Sequence, residues 1–85
     1  MEAHLYQLHL EAGRICGSER TCGTKRPFED EPAAQKAAMA HNTWAGRKHD
    51  VEPYPCAFCG RWHLGRVMSV AELQALIDGA DAESS

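Results

Sequence analysis

The hydrophobic positions of this 85-residue chain fall into short groups that polar and glycine-rich segments separate. In residues 4–12, HLYQLHLEA, apolar and polar side chains alternate from Tyr6 to Ala12. A period of two predicts a half-buried β-strand, and we adopt that prediction. The Ala, Leu, Gln and Glu composition of the segment would equally suit a helix that ends at Gly13.

The most helix-like pattern lies in residues 33–45, AAQKAAMAHNTWA. Asp30 or Glu31 can cap the N-terminus of this helix, and Pro32 suits its first turn. Gly46 is the predicted end of the helix. The predicted inward stripe consists of Ala34, Ala37, Ala38, His41, and Trp44 or Ala45. Because most of these side chains are small, the helix can approach a sheet or a metal-binding hairpin closely.

A shorter helix is predicted near the C-terminus, beginning at Ser69. Ser69 and Glu72 have capping-box spacing, in which each side chain can bond to the other residue's backbone N–H. The apolar side of this helix consists of Leu73, Leu76 and Ile77. Gly79 is the predicted end, and residues 80–85 are expected to form a disordered tail. The folded domain is therefore expected to span residues 1–79.

The composition indicates a small hydrophobic core. The chain is 44% hydrophobic, but much of that is alanine, which buries little area. At this length a core alone barely offsets chain entropy, so a crosslink is expected, and four cysteines are present. No run approaches the roughly 20 apolar residues of a membrane span, and residues 1–6 lack the features of a secretory signal. We therefore expect a cytoplasmic protein without membrane contact, in which clustered cysteines bind metal more often than they form disulfides.

The cysteines and one histidine follow the spacing Cys16-x5-Cys22-x33-Cys56-x2-Cys59-x3-His63. Two residues between cysteines let both sulfurs meet one ion from a tight turn, and the glycine after the second cysteine frees the backbone to make it. Zinc in a closed site takes four such ligands. Two sets of ligands fit this spacing: three cysteines, Cys22, Cys56 and Cys59, with His63, or all four cysteines.

Cys56 and Cys59 could also serve two other purposes. A thioredoxin-type redox pair needs a helix whose N-terminus lowers the thiol pKa, whereas Pro55 precedes this pair and Gly60 follows it. A disulfide framework needs an oxidising compartment. Both alternatives fit the sequence less well than a metal site does.

The stretches CGTKRPF, AAQKAA and YPCAFCGRWHLG, within residues 22–65, resemble small uncharacterised zinc-ribbon-like proteins of actinobacteria and their phages. The residues that fit that pattern are Cys22, Lys25, Phe28, Ala34, Ala37, Tyr54, Cys56, Cys59, Gly60, Trp62, His63 and Leu64. The resemblance implies one upstream cysteine plus His63, which makes the zinc ligands Cys22, Cys56, Cys59 and His63. Cys16 departs from the pattern and is kept as a backup ligand.

These predictions combine into a small α+β domain that one structural zinc ion (Zn2+) stabilises. A zinc-ribbon or knuckle hairpin packs on the alanine-rich helix, and the short C-terminal helix follows. Val51–Pro55 can be only an edge strand of that hairpin, because it contains two prolines. Structural zinc supplies on the order of 10–16 kcal/mol of apparent binding free energy at neutral pH, more than the net stability expected of such a core.

A binding function is expected rather than catalysis. Four ligands leave no open coordination position, and the chain has no phosphate-binding loop or nucleophile motif, so neither an enzyme nor a small-molecule substrate is predicted. The preferred hypothesis is that the domain binds an unidentified protein. The resemblance to phage proteins implies that it regulates a host protein. The alternative is a nucleic-acid-binding, transcription-associated zinc module, although the net charge is −3. The residues assigned to partner binding are Trp44, Arg47, Lys48, Arg61 and Arg66.

Overall fold

A computed structural model describes residues 1–23 and 25–84, with the backbone alone at 81–84. The elements in chain order are α1 (Ala3–Cys16), α2 (Ser18–Thr21), α3 (Glu31–Asn42), β1 (Val51–Pro55), β2 (Trp62–Arg66) and α4 (Val70–Ser84). The predicted class, a small α+β domain with helices and an antiparallel hairpin, is confirmed. Within the described residues, no helix is long and apolar enough to cross a membrane.

The N-terminal segment is a helix, so the predicted strand over residues 4–12 is wrong. The Glu2 carboxylate caps α1 by accepting hydrogen bonds from the backbone N–H groups of His4 (2.8 Å) and Leu5 (3.1 Å). The buried residues Leu8, His9 and Ala12 have the spacing of one helix face.

The helix α1 also continues beyond Gly13, which was its end in the alternative prediction, and terminates at Cys16 with Gly17 as its C-cap. The reason is tertiary: Gly13 lies beside Thr21 of α2, whose hydroxyl donates to the Gly13 carbonyl at 2.9 Å. That contact turns α2 back onto the last turns of α1.

The alanine-rich helix α3 begins as predicted, with the Asp30 carboxylate accepting from the Ala33 N–H at 2.9 Å. It ends at Asn42 and not at Gly46. The Asn42 side chain exchanges two hydrogen bonds with the backbone of Val51, of 2.9 and 2.8 Å, and so joins the helix end to β1.

The predicted inward stripe of α3 is correct over its first four positions. Ala34 and Ala38 are buried, and Ala37 and His41 are partly buried. Trp44 and Ala45 are exposed, because the helix ends before the stripe reaches them. The small side chains face the hairpin, since α3 packs against both β1 and β2.

The hairpin pairs β1 with β2 antiparallel, with Tyr54 opposite His63 and Pro53 opposite Leu64. The predicted edge character of Val51–Pro55 is confirmed, because in the described part of the chain the sheet has two strands and β1 pairs only with β2. On its other side β2 forms one bridge, in which Phe28 and Trp62 exchange backbone hydrogen bonds of 2.7 and 3.0 Å.

The C-terminal helix begins as predicted but extends further. Ser69 and Glu72 form the reciprocal capping box, with hydrogen bonds of 3.1 and 3.3 Å. The helix then passes through Gly79 and continues to Ser84, so the predicted end at Gly79 is wrong. An interior glycine destabilises a helix by about 1 kcal/mol but does not stop it. Residues 80–84 of the expected tail are thus helical, Ser85 lies outside the described residues, and the domain boundary at residue 79 stays a prediction.

The hydrophobic core lies between α1 and α4. Its buried members are Leu8, Ala12, Leu73 and Ile77, with Leu5 and Met68 packed at its edge. This core is small, and none of the buried residues on the hairpin side is a large aliphatic side chain: they are Ala34, Ala38, Pro53, Pro55, Cys56 and His63. The second half of the fold therefore needs stabilisation of another kind.

Candidate metal centre

Four side chains from three parts of the chain converge at one end of the hairpin. The thiol sulfurs of Cys22, Cys56 and Cys59 and a ring nitrogen of His63 all lie within 4.8 Å of one another. Cys22 follows α2, the cysteine pair occupies the turn between the strands, and His63 belongs to β2. A group of this composition and size could hold a metal ion. Cys16, the predicted backup ligand, is outside the group.

The turn between the strands is a knuckle built around the Cys56 sulfur. The Cys56 N–H donates to the Arg61 carbonyl at 2.8 Å, and the Gly60 N–H donates to the Cys56 carbonyl at 3.2 Å. Gly60 has φ +72°, a conformation that residues with a side chain rarely adopt. This agrees with the predicted role of a glycine after the second cysteine.

The knuckle favours the charged form of its first cysteine. Burial raises the pKa of the Cys56 thiol, but the backbone N–H groups of Cys59 and Phe58 donate to its sulfur and bring the net pKa below its ordinary value. The thiolate is the form that binds metal. The local backbone thus prepares Cys56 for ligation.

Cys22 is delivered to the group by the end of α2. Its N–H and that of Gly23 both donate to the Ser18 carbonyl at 2.8 Å. Desolvation, together with hydrogen bonds to Cys59 and Cys56, raises the pKa of the Cys22 thiol to about 11. Several thiols this close cannot all ionise without a compensating cation, and a bound divalent metal would supply that charge.

His63 is held in the tautomer that ligation requires. The side chain is 1% exposed, and its Nδ1 lies 2.9 Å from the backbone carbonyl of Arg26. A carbonyl only accepts, so Nδ1 carries the proton and the lone pair is on Nε2, which lies 3.4 Å from the Cys59 sulfur. A second partner that fixes the ring in this way is typical of metal-binding histidines.

Tyr54 supports the site although sequence reasoning gave it no role. Its ring lies beside that of His63, with centroids 5.9 Å apart. Its hydroxyl donates to the Thr21 carbonyl and accepts from Lys25 Nζ at 3.2 Å. Burial, reinforced by the neighbouring thiols, raises the pKa of Tyr54 above its ordinary value, so the hydroxyl remains a donor. Tyr54 thereby connects the hairpin to the segment before Cys22. In the sequence, the only indication of this role is its position two residues before Cys56.

The residues predicted to bind a partner occupy varied surroundings. Trp44 is 62% exposed, just beyond the end of α3. Arg47 pairs with Asp50 (Nε to Oδ1, 2.6 Å), and Arg66 pairs with Glu72 (Nη1 to Oε2, 3.1 Å). The remaining two, Lys48 and Arg61, are exposed and have no acidic partner within the described residues.

No family model, curated protein or solved structure matches this chain. The resemblance to zinc-ribbon-like proteins therefore stays a prediction. The case for a metal depends on the geometry and chemistry of the four converging side chains.

Proposed function

We propose that Cys22, Cys56, Cys59 and His63 bind one structural zinc ion, and that the domain so stabilised is a non-enzymatic module that binds another protein. The observation that carries the metal assignment is the convergence of three sulfurs with His63, whose Nδ1 bond leaves Nε2 free to ligate. Mixed thiolate and imidazole sets suit zinc, whereas calcium and magnesium prefer oxygen ligands.

The role proposed for the zinc is structural, since four protein ligands complete a tetrahedral site. The ion would join the end of α2 to the hairpin, and none of its four ligands belongs to the core cluster of Leu8 and Leu73. Apparent zinc-binding free energies of about 10–16 kcal/mol are as large as the whole stability of a typical domain, about 5–15 kcal/mol. Folding and metal binding are therefore expected to occur together.

The proposed interaction surface centres on Trp44, a large apolar side chain that the fold leaves exposed but holds in place. A Cβ at Gly46 would lie 2.9 Å from Trp44 Cζ2, so the ring covers this glycine. The His41 ring meets it edge-on, with centroids 6.3 Å apart. Arg47 Nη1 also donates to the Trp44 carbonyl at 2.9 Å. A tryptophan ordered before binding loses little entropy on contact, and tryptophan is enriched at interface hot spots.

Charge favours a protein over a nucleic acid as the partner. Arg47 and Arg66, two of the four basic residues assigned to partner binding, are already paired with Asp50 and Glu72. Nucleic-acid affinity depends on the number of cations available to phosphates. The net charge of −3 also opposes the approach of a polyanion.

Native mass spectrometry of untagged protein, purified under reducing conditions, tests the metal assignment. One zinc ion is expected in the wild type and in Cys16→Ser, and none in His63→Ala. Retention of zinc by His63→Ala together with its loss from Cys16→Ser would show that the ligands are the four cysteines.

A pull-down with the zinc-loaded protein tests the partner assignment. A polypeptide retained by the wild type should be lost with Trp44→Ala and kept with Phe58→Ala, a matched control whose ring is also exposed. Fluorescence anisotropy with labelled single-stranded and duplex DNA tests the nucleic-acid alternative. Binding that falls steeply with added salt and that Lys48→Ala weakens would favour the nucleic-acid alternative.

A further inference from the structure

A groove of about 300 Å3, distinct from the metal centre, opens between α1, α2, the hairpin and α4. None of the four candidate ligands lines it, but Cys16 does. Its volume is at the lower end of the range typical of small-molecule sites, roughly 300–1,000 Å3.

The ionic groups that line the groove are of one sign. Arg20, Lys25 and Arg66 contribute to its walls, although Arg66 is paired with Glu72 outside the groove at 3.1 Å. Among the described residues no carboxylate lines the groove, although acidic residues outnumber basic ones in the chain. Arg20 has no hydrogen-bond or acidic partner within the described residues, and Lys25 Nζ bonds only to the neutral hydroxyl of Tyr54. A concave surface lined by one sign of charge attracts an ion of the opposite sign.

A buried polar side chain in the groove wall lacks a hydrogen-bond partner among the described residues. His9 is 7% exposed, and its Nε2 makes no hydrogen bond within the described part of the chain. The nearest charged group is the Glu52 carboxylate, whose Oε1 lies 3.7 Å from Nε2 and accepts instead from the Met68 N–H at 3.1 Å. Nε2 is itself covered by protein atoms, so a ligand in the groove would contact the rest of the His9 ring and not this nitrogen.

Part of the groove wall is apolar. Met68, Leu73 and Leu76 line its α4 side, and Ala12 lines its α1 side. Leu76 is 36% exposed, so this apolar wall reaches the protein surface. Cations and apolar side chains therefore share one cavity.

We infer that the groove binds a small organic anion with a short apolar chain, of the monocarboxylate class. The carboxylate is recognised by Arg20 and Lys25, and the apolar chain lies against Met68 and Leu76. A neutral molecule of the same shape lacks the charge-assisted hydrogen bonds, and an inorganic anion lacks the apolar contact. This inference is independent of the proposed zinc and partner functions.

An NMR titration of the 15N-labelled full chain, with its metal as purified, tests the inference with sodium octanoate as the probe. Octanoate should shift the amide signals around His9 and Leu76 saturably, while 1-octanol and sodium acetate bind much more weakly. Arg20→Gln should weaken octanoate binding by roughly tenfold, the effect expected for loss of one charge-assisted hydrogen bond. Lys36→Gln, which removes an exposed lysine of α3 outside the groove, is the matched control and should leave the affinity unchanged.

A second variant tests the apolar contact. Leu76→Ala should weaken octanoate more than butyrate, because only the longer chain reaches that side of the groove. The inference is overturned by the absence of saturable shifts up to roughly 10 mM octanoate, a concentration well above the millimolar Kd of weak sites. Equal affinities for octanoate and 1-octanol, or equal weakening by Arg20→Gln and Lys36→Gln, would overturn it as well.

Discussion

Replacing Tyr54 with phenylalanine removes one hydroxyl and tests how the hairpin holds the segment that carries Cys22. In the structure this hydroxyl donates to the Thr21 carbonyl and accepts from Lys25 Nζ. Phenylalanine keeps the ring and its contact with His63, so the substitution isolates these two hydrogen bonds.

The expected magnitude follows from the burial of the two partners. Thr21 is 6% exposed, so its carbonyl would be left unpaired where water has little access. Leaving such an acceptor unsatisfied costs about 1–3 kcal/mol, whereas the exposed Lys25 regains hydration at almost no cost. We expect Tyr54→Phe to lower the unfolding free energy of the zinc-loaded protein by about 1–2 kcal/mol. Because Thr21 precedes Cys22, one of the proposed ligands, we also expect zinc affinity to fall roughly tenfold.

Urea denaturation followed by circular dichroism at saturating zinc measures the first effect, with an unchanged m-value showing that the folded state is intact. Competition with a chromophoric chelator measures the second. Tyr6→Phe is the matched control, because Tyr6 lies on α1 and its hydroxyl makes no hydrogen bond in the described part of the chain. If Tyr54→Phe and Tyr6→Phe behave alike in both assays, the hydroxyl does not position Cys22 and this reasoning fails.

Three further predictions concern the metal and pH. If the proposed zinc is structural, its removal by a chelator should unfold the domain cooperatively, because ligation and folding would then be coupled. An unchanged far-UV circular dichroism spectrum in the metal-free protein would contradict the structural role. Cys22→Ser should abolish tight zinc binding measured by chelator competition, whereas Cys16→Ser should change it little; the reverse ranking would replace the proposed ligand set. Burial lowers the pKa of His9, with Glu52 opposing it, so the unfolded chain takes up this proton more readily. Neutral His9 thus contributes fully to the unfolding free energy above its ordinary pKa of 6.5. That contribution is lost as the pH falls from 6.5 through the lower pKa of His9 in the folded protein. In urea denaturation, His9→Leu should lose less unfolding free energy than the wild type as the pH falls through this window. Equal losses in the two proteins would refute the role of His9.

The elements that sequence reasoning predicted correctly depend on neighbouring residues. The Asp30 cap and the Ser69–Glu72 capping box each involve groups within three residues, so their chemistry is visible in the sequence. The same applies to the knuckle, in which Gly60 directly follows the cysteine pair and provides the turn. Local geometry of this kind needs no knowledge of what packs against it.

The character of the first segment was not decided locally. Leu8 and Ala12 lie on the same side in both a strand and a helix, because a spacing of four fits both periods. Packing of α1 against β1 as well as α4 distinguishes them. The helix also buries His9, beside Glu52 and Tyr54 of β1, whereas an alternating strand would have placed His9 on the face opposite Leu8. The predicted strand followed the alternation of apolar and polar residues, whereas packing of this segment against the rest of the fold favours the helix.

The spacing of the cysteines by itself favoured a metal site over a redox pair or a disulfide, because Cys56 and Cys59 can meet one ion from a tight turn and further cysteines are present to complete it. Only the tertiary structure decided which side chains join it. The bridge between Phe28 and Trp62 brings the Arg26 carbonyl to His63 Nδ1 and directs the other ring nitrogen toward the sulfurs. Cys16, at the end of α1, lines the groove instead. These placements depend on contacts between residues more than 30 positions apart, which no local pattern in the sequence encodes.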